Sequence, residues 1–284
     1  MNSPQTRVAG AGSSGAAAPG LATEVESQPV WYHTLDLGSG VVTPGWFDLR
    51  PIADLLPWPE LEGKRCLDVG TYDGFLAFEL ERRGAAEVVA TDIADHREWD
   101  WPPSIRAIGP EYLRQLAGDD KTRGFRIAHA ALSSKVDHRL ISVYDLSPES
   151  VGTFDVVVCG ALMLHLRDPL RALQAIRSVC TGSFLSAEEI AIGLSVRYPR
   201  LPLATLDGLS DRLKWFVPNA AGHFRMVESA GFEIQRRTRP YAVPLGPAHP
   251  KPYGSLRSRA RHIAIAAKLR GRGVPYQAVL AEPA

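Results

Sequence analysis

Leu67-Asp68-Val69-Gly70-Thr71-Tyr72-Asp73-Gly74 is the stretch that decides how this chain folds. Residues 65–70 form a short apolar run closed by glycine, which reads as a buried strand, and residues 74–83 read as the helix that follows it. Glycine at 70 lets the backbone come close to a ligand, and Gly74 allows tight packing where the helix begins. The free amides at that helix start face an anionic group, here a ligand carboxylate. Asp92 closes a second strand, residues 87–92. An acid at that place accepts hydrogen bonds from ribose hydroxyls.

Two ligand classes use such a turn. The dinucleotide fingerprint G-x-G-x-x-G fails here because Tyr72 stands where its second glycine belongs. The spacing Asp68-x-Gly70-x-x-x-Gly74 favours S-adenosylmethionine (SAM), whose ammonium group benefits from the nearby Asp68 carboxylate. A purely structural turn is the third reading.

Outward from this turn, strands and helices alternate. Residues 109–116 predict a short helix, 125–131 a third strand and 154–160 a fourth. Residues 169–179 predict a helix with Asp168 as its N-cap, and residues 183–186 open a fifth strand. Residues 218–230 predict a helix stopped by Gly231, and 233–243 and 276–281 predict closing strands. The expected fold is therefore α/β, a doubly wound, mostly parallel, seven-stranded sheet covered on both faces. Residues 1–29, rich in Gly, Ala and Ser, predict a disordered tail, and residues 30–284 the folded domain. Within that domain 30–56 predict a lid and 190–216 an acceptor cap.

Composition narrows the class. Hydrophobic residues make up 45% and charged residues 22% of the 284, a globular balance. The formal net charge of +1 gives no overall attraction to nucleic acid or membrane. Residues 250–284 are the exception, with Lys251, Arg257, Arg259, Arg261, Lys268, Arg270 and Arg272 against Glu282 alone. The longest apolar run, 156–164, is about half of what a membrane span needs. Cys66, Cys159 and Cys180 lack metal-ligand spacing, so no metal site is expected. Reduced thiols fit a cytoplasmic protein.

Two further segments carry candidate chemistry. Tyr144-Asp145 ends an apolar run before the fourth strand, where an acid meets an adenine amino group; a surface turn is the plainer reading. After the fourth strand, Gly160-Ala161-Leu162-Met163-Leu164-His165 forms a loop at the carboxyl end of the sheet. His165 is the candidate general base, taking a proton from an acceptor hydroxyl as the methyl arrives. A pocket-lining histidine is the bland alternative, because a sulfonium leaving group departs neutral and positioning supplies most of the rate.

Taken together, the fingerprint, the Phe154-Asp155 strand with His165 and Asp168-Pro169, and Trp215-Phe216-Val217-Pro218-Asn219 leading into Ala230-Gly231-Phe232 resemble the tRNA wobble-uridine carboxymethyltransferase family. The Trp31–Leu37 opening and the Trp46–Arg50 segment are similar to it as well. The resemblance runs from Trp31 to the C-terminus. It implies a cofactor pocket containing Gly70, Asp92, Ile93, Tyr144, Asp145 and Gly160, with Trp46 and Phe47 as lids. Trp215 and Asn219 are candidate acceptor contacts near the pocket mouth, with core packing the equal alternative for Trp215.

That family uses carboxy-SAM and surrounds its extra carboxylate with a lysine, a tyrosine and an arginine. This chain has Glu24-Val25-Glu26, Leu164 and Gln277 at those places. An unpaired buried carboxylate is costly, so the departures imply ordinary SAM. The expected protein is a SAM-dependent O- or N-methyltransferase of a small-molecule acceptor, a sugar or a natural-product intermediate. The alternatives are a tRNA-modifying enzyme using the basic C-terminal stretch on phosphates, and a SAM-binding protein that transfers nothing.

Overall fold

The computed structural model describes residues 20–118, 120–209, 213–250, 269 and 271–284. In chain order the elements are α1 Leu21–Ser27, β1 Arg65–Val69, α2 Phe75–Arg82, β2 Glu87–Asp92, α3 Pro103–Arg106, α4 Pro110–Ala117, α5 Arg123–Ala131, β3 Asp137–Leu140 and α6 Pro148–Val151. Then come β4 Phe154–Gly160, α7 Pro169–Val179, β5 Cys180–Glu189, α8 Ile192–Arg197, β6 Ala204–Leu206, β7 Phe216–Pro218, α9 Ala220–Ser229, β8 Phe232–Arg237, β9 Tyr241–Val243 and β10 Val274–Pro283.

The main sheet runs β3-β2-β1-β4-β5-β10-β8, with β9 added beside β10. The pairs from β3 through β5 are parallel. β10 enters antiparallel between β5 and β8. Strand order reverses between β1 and β4, so the crevice above their carboxyl ends is where such a sheet takes a ligand. Parallel strands must be covered on both faces, and their sequences show it. On one face α2 and α5 bury Phe75, Leu80, Phe125 and Ala128 against Cys66, Ala90 and Val158. On the other, α7 and α9 bury Leu173, Ile176 and Val227 against Leu67, Val157 and Phe184.

The caps behave as their residues dictate. Asp168 accepts from the Arg171 amide at 3.1 Å and starts α7. Gly231, at φ +92°, ends α9 by donating its amide to Glu228 O at 3.0 Å.

Three expectations are corrected. Residues 125–131 are not a strand but part of the helix α5, because Phe125 and Ala128 fall on one buried helical face and alanines at 128, 130 and 131 favour helix. The third strand is instead β3, whose polar Asp137-His138-Arg139-Leu140 lies at the edge of the sheet. The tail boundary also moves: residues 21–27 are helical, with Val25 buried and its carbonyl accepting from Trp31 Nε1 at 3.0 Å. Arg123 ties this helix to α5 by donating to Ser27 O at 3.0 Å. Residues 1–19 of the expected tail lie outside the described residues.

Candidate cofactor and acceptor site

β1 delivers the fingerprint to the carboxyl edge of the sheet. The turn Gly70–Gly74 then folds back through three positive-φ positions, Gly70 at +76°, Tyr72 at +52° and Gly74 at +98°. Glycine tolerates such angles freely, whereas Tyr72 is held there by its surroundings. The Gly70 and Thr71 amides both donate to Thr91 O of β2, at 2.9 and 3.1 Å. Asp68 and Thr71 are almost fully buried, and Asp68 Oδ2 and Thr71 Oγ1 have no hydrogen-bond partner. Burial pushes the Asp68 carboxyl up to about 7. Two buried oxygens without partners beside a glycine turn are what an ammonium-bearing ligand would satisfy.

Asp92 ends β2 against this turn. Its Oδ2 accepts from the Tyr72 amide and its Oδ1 from the Ile93 amide, each at 2.8 Å. Oδ2 also pairs with the Lys121 ammonium. Ile93 is half-buried next to it. Lys121 carries no motif of its own in the sequence and arrives from the turn before α5.

Asp73 faces the other way and fastens the N-terminal segment to the turn. It accepts from the Tyr32 amide at 2.8 Å, the His33 amide at 3.0 Å and His33 Nδ1. Phe47 and Trp46 then pair backbone to backbone with Tyr32 and Trp31. Segment 31–50 is thereby laid over the strand tips. Beneath it lies an apolar cleft lined by Tyr32, Phe47, Leu49, Ile52 and Leu56, by Leu76 of α2, by Gly160 and Ala161 at the tip of β4, by Ala187 of β5, and by Tyr241, Val243 and Tyr276.

The loops after β3 and β4 meet through Asp100. Tyr144 donates its hydroxyl to Asp100 Oδ2 at 2.7 Å and accepts from the Asp168 amide at 3.1 Å. Asp145 is exposed. Trp215 Nε1 donates to Asp100 O at 2.6 Å, and its backbone amide donates to Leu164 O at 2.7 Å. His165 is half-buried, and Nδ1 donates to Leu213 O at 2.5 Å. A carbonyl only accepts, so this bond fixes the proton on Nδ1 and leaves the lone pair on Nε2. Burial lowers the His165 pKa and keeps the ring neutral.

Asn219 corrects an expectation. It is fully buried, and every polar group is used within the chain: Oδ1 accepts from Leu203 N and Gly222 N, and Nδ2 donates to Tyr198 O and Leu201 O. It caps α9 and braces the segment after α8, with nothing left for an acceptor. Trp215, Asn219 and His165 do not line the apolar cleft. Of the basic C-terminal stretch, Lys251, Arg257, Arg259, Arg261, Lys268 and Arg270 lie outside the described residues.

Glu188 belongs to no motif in the sequence, yet it meets the same loop. Buried at the end of β5, it accepts from the Leu162 and Met163 amides, each at 3.3 Å, through Oε1. Burial pushes its carboxyl up to about 8. The folded state therefore holds a proton that an unfolded glutamate releases near ~4.3. Stability falls as pH rises between those two values, by at most about 1.4 kcal/mol per pH unit. Asp68 adds the same sign up to about 7. Glu188→Gln is expected to melt higher than the parent at pH 8, with the gap closing near pH 5. An equal gap at both pH values would dismiss the buried proton.

The stretch of sequence that builds the glycine turn, the end of β2 and much of the cleft belongs to a known domain. The family model described as a methyltransferase domain matches residues 47–235, well over half of the chain. The chain belongs to this methyltransferase domain family. Its sheet has the strand order of the Rossmann-like class I methyltransferase fold.

Among curated relatives, the ubiquinone biosynthesis O-methyltransferase of Xanthomonas campestris pv. campestris is 33% identical over 119 residues, 42% of this chain and 39% of its own length. That of Neisseria meningitidis serogroup C is 34% identical over 118 residues, 41% of this chain and 39% of its own. The matched stretch thus spans about two fifths of these relatives. Among solved structures, the [4+2]-cyclase SpnF superposes with a TM-score of 0.52 at 18% identity, covering 93% of this chain and 92% of its own. The 1,6-didemethyltoxoflavin-N1-methyltransferase of Burkholderia thailandensis gives 0.50 at 14%, covering 83% and 77%. At these identities the likeness is one of fold. Among the described residues of this methyltransferase, no helix is long and apolar enough to cross a membrane.

Proposed function

We propose that this chain is a SAM-dependent methyltransferase that moves the methyl to an oxygen or nitrogen of a small, largely apolar acceptor, such as a natural-product intermediate. The observation that carries the reading is the apolar, tyrosine-lined cleft at the tips of β4 and β5. Its lining of Leu49, Ile52, Tyr241 and Tyr276 suits an aromatic or aliphatic skeleton better than a sugar. The ubiquinone biosynthesis O-methyltransferase of Xanthomonas and the 1,6-didemethyltoxoflavin-N1-methyltransferase of Burkholderia are consistent with this.

In this reading Gly70 and Gly74 give the backbone room for the cofactor, Asp68 and Thr71 receive its ammonium end, and Asp92 receives its ribose. Ile93, Tyr144, Asp145 and Gly160 border the nucleoside, and Trp46 and Phe47 roof the site. SAM supplies a methyl group on a sulfonium, which leaves as a neutral thioether. Segment 31–50 excludes water and orients the acceptor for in-line attack. Nε2 of His165 takes the proton from an acceptor hydroxyl. Residues 190–209 and 213–216 cap the acceptor side, strapped to the β4 loop by the bonds of His165 to Leu213 O and of Trp215 to Leu164 O. Three buried free thiols suit a reducing cytoplasm.

Calorimetric titration with SAM, S-adenosylhomocysteine and carboxy-SAM, followed by a screen of apolar phenols and amines, tests this. The expected result is binding of the first two, weaker binding of carboxy-SAM, and methylation of an apolar acceptor. Preference for carboxy-SAM would overturn the reading of Leu164 and Gln277 and put a tRNA acceptor first.

A further inference from the structure

The Lys121 ammonium does not sit at the surface. Its side chain is 3% exposed, and it pairs with Asp92 Oδ2. It also stands 4.7 Å from the centre of the Tyr72 ring and 5.9 Å from that of Trp99. An ammonium is strongly hydrated, and burying it is costly unless a carboxylate and aromatic faces replace the water. Asp92 and the two rings do this here, at the end of β2.

The same carboxylate has limited capacity. Two oxygens offer about four lone-pair positions. The Tyr72 amide takes one on Oδ2, the Ile93 amide one on Oδ1, and Lys121 a further one on Oδ2. A ribose diol brings two O–H donors to the face that Lys121 already holds. The two sets of donors exceed the positions available.

We propose that Lys121 is an internal competitor for the ribose position on Asp92, so that nucleoside binding exchanges a lysine donor for ribose hydroxyls. This rests on the reading of Asp92 as the ribose acceptor. Lys121 lies in the turn that leads into α5, beside the exposed Asp120. Its four-carbon stem lets the ammonium swing out to water without unfolding the helix. The consequence is a weaker hold on both cofactor and product, which speeds release of S-adenosylhomocysteine after each turnover. Lys121 is thus a residue that sets cofactor affinity, without touching the transferred methyl.

Titration calorimetry of the full chain with SAM and with S-adenosylhomocysteine tests this, using Lys121→Met, Lys121→Arg and Asp92→Asn. Methionine keeps the stem among the rings and frees the carboxylate, so both ligands are expected to bind about tenfold tighter. Arginine keeps the charge and pairs in two places, so it is expected to bind both no tighter than the parent. Asp92→Asn is expected to weaken both. If Asp92→Asn weakens binding while Lys121→Met leaves it unchanged or weaker, the competition is refuted and the ribose reading stands. If Asp92→Asn changes nothing, the ribose reading falls and the competition with it. Tightening of SAM alone would replace competition by simple repulsion of the sulfonium charge and so refute it. Melting curves of each variant without ligand check folding, and Lys121→Gln substitutes if the methionine variant does not fold.

Discussion

Replacing Asp73 with alanine is expected to lower the free energy of unfolding by about 3–5 kcal/mol, because three donors lose their acceptor at once. One carboxylate, almost wholly buried, satisfies two backbone amides and an imidazole nitrogen. Alanine removes all three acceptor contacts, and each buried donor left without a partner costs about 1–3 kcal/mol. Asparagine would keep the volume and one acceptor oxygen, so Asp73→Asn is expected to fall between alanine and the parent. Urea unfolding measures the loss, and a value under about 1 kcal/mol for alanine would show that water or a rearranged segment replaces the carboxylate. The functional side of the same change is local. Asp73 is the clamp between the glycine turn and segment 31–50, so the amides of Tyr32 and His33 should exchange hydrogen faster in the variant, and the roof of the cleft should loosen with them.

His165→Ala is expected to reduce turnover by about 10²- to 10⁴-fold on a hydroxyl acceptor, while S-adenosylhomocysteine affinity stays within about twofold. The Nδ1 bond to Leu213 O presets the tautomer that leaves Nε2 basic. Burial lowers the ring's pKa, so the neutral form already dominates at pH 7. Activity is lost only when the ring is protonated. The value of kcat/KM should therefore fall on the acid side, below the usual histidine value of about 6.5, and stay flat through neutrality. A loss smaller than tenfold, or an acid limb that survives in His165→Ala, would leave His165 as a brace between the β4 loop and Leu213. Catalysis would then rest on alignment of the acceptor alone.

How much of this is legible in the sequence varies element by element. The turn 67–74, the strands β1, β2 and β4 and the caps Asp168 and Gly231 are readable because each depends on local chemistry: a glycine needing positive φ, an apolar run, an acid capping free amides. Segment 125–131 reads wrongly as a strand because a short apolar run is compatible with strand and helix alike, and only packing of Phe125 and Ala128 against the sheet decides. β3 carries no apolar pattern because it is a polar edge. The expectation that Trp46 and Phe47 act as lids rests on resemblance alone. The pairs Asp73–His33 and Asp92–Lys121 join residues far apart in the chain, and no spacing rule links them. Asn219 looks like an acceptor-facing residue from its neighbours, whereas its backbone partners at 198, 201 and 203 come from a segment with no readable pattern.

The antiparallel β10 has a consequence for how the enzyme comes into being on the ribosome. This strand is synthesised after β1 to β9, yet it lies inside the sheet, between β5 and β8. Strands β1 to β5 can assemble as the nascent chain emerges, but the edge of β5 stays open and able to pair with other chains until residues 274–283 leave the exit tunnel. The strands that carry the glycine turn and Asp92 are thus made early, whereas Tyr276 completes the apolar cleft only after them. A ribosome that stalls shortly before that point would carry a nascent chain with half a site and an open edge, a natural client for chaperones.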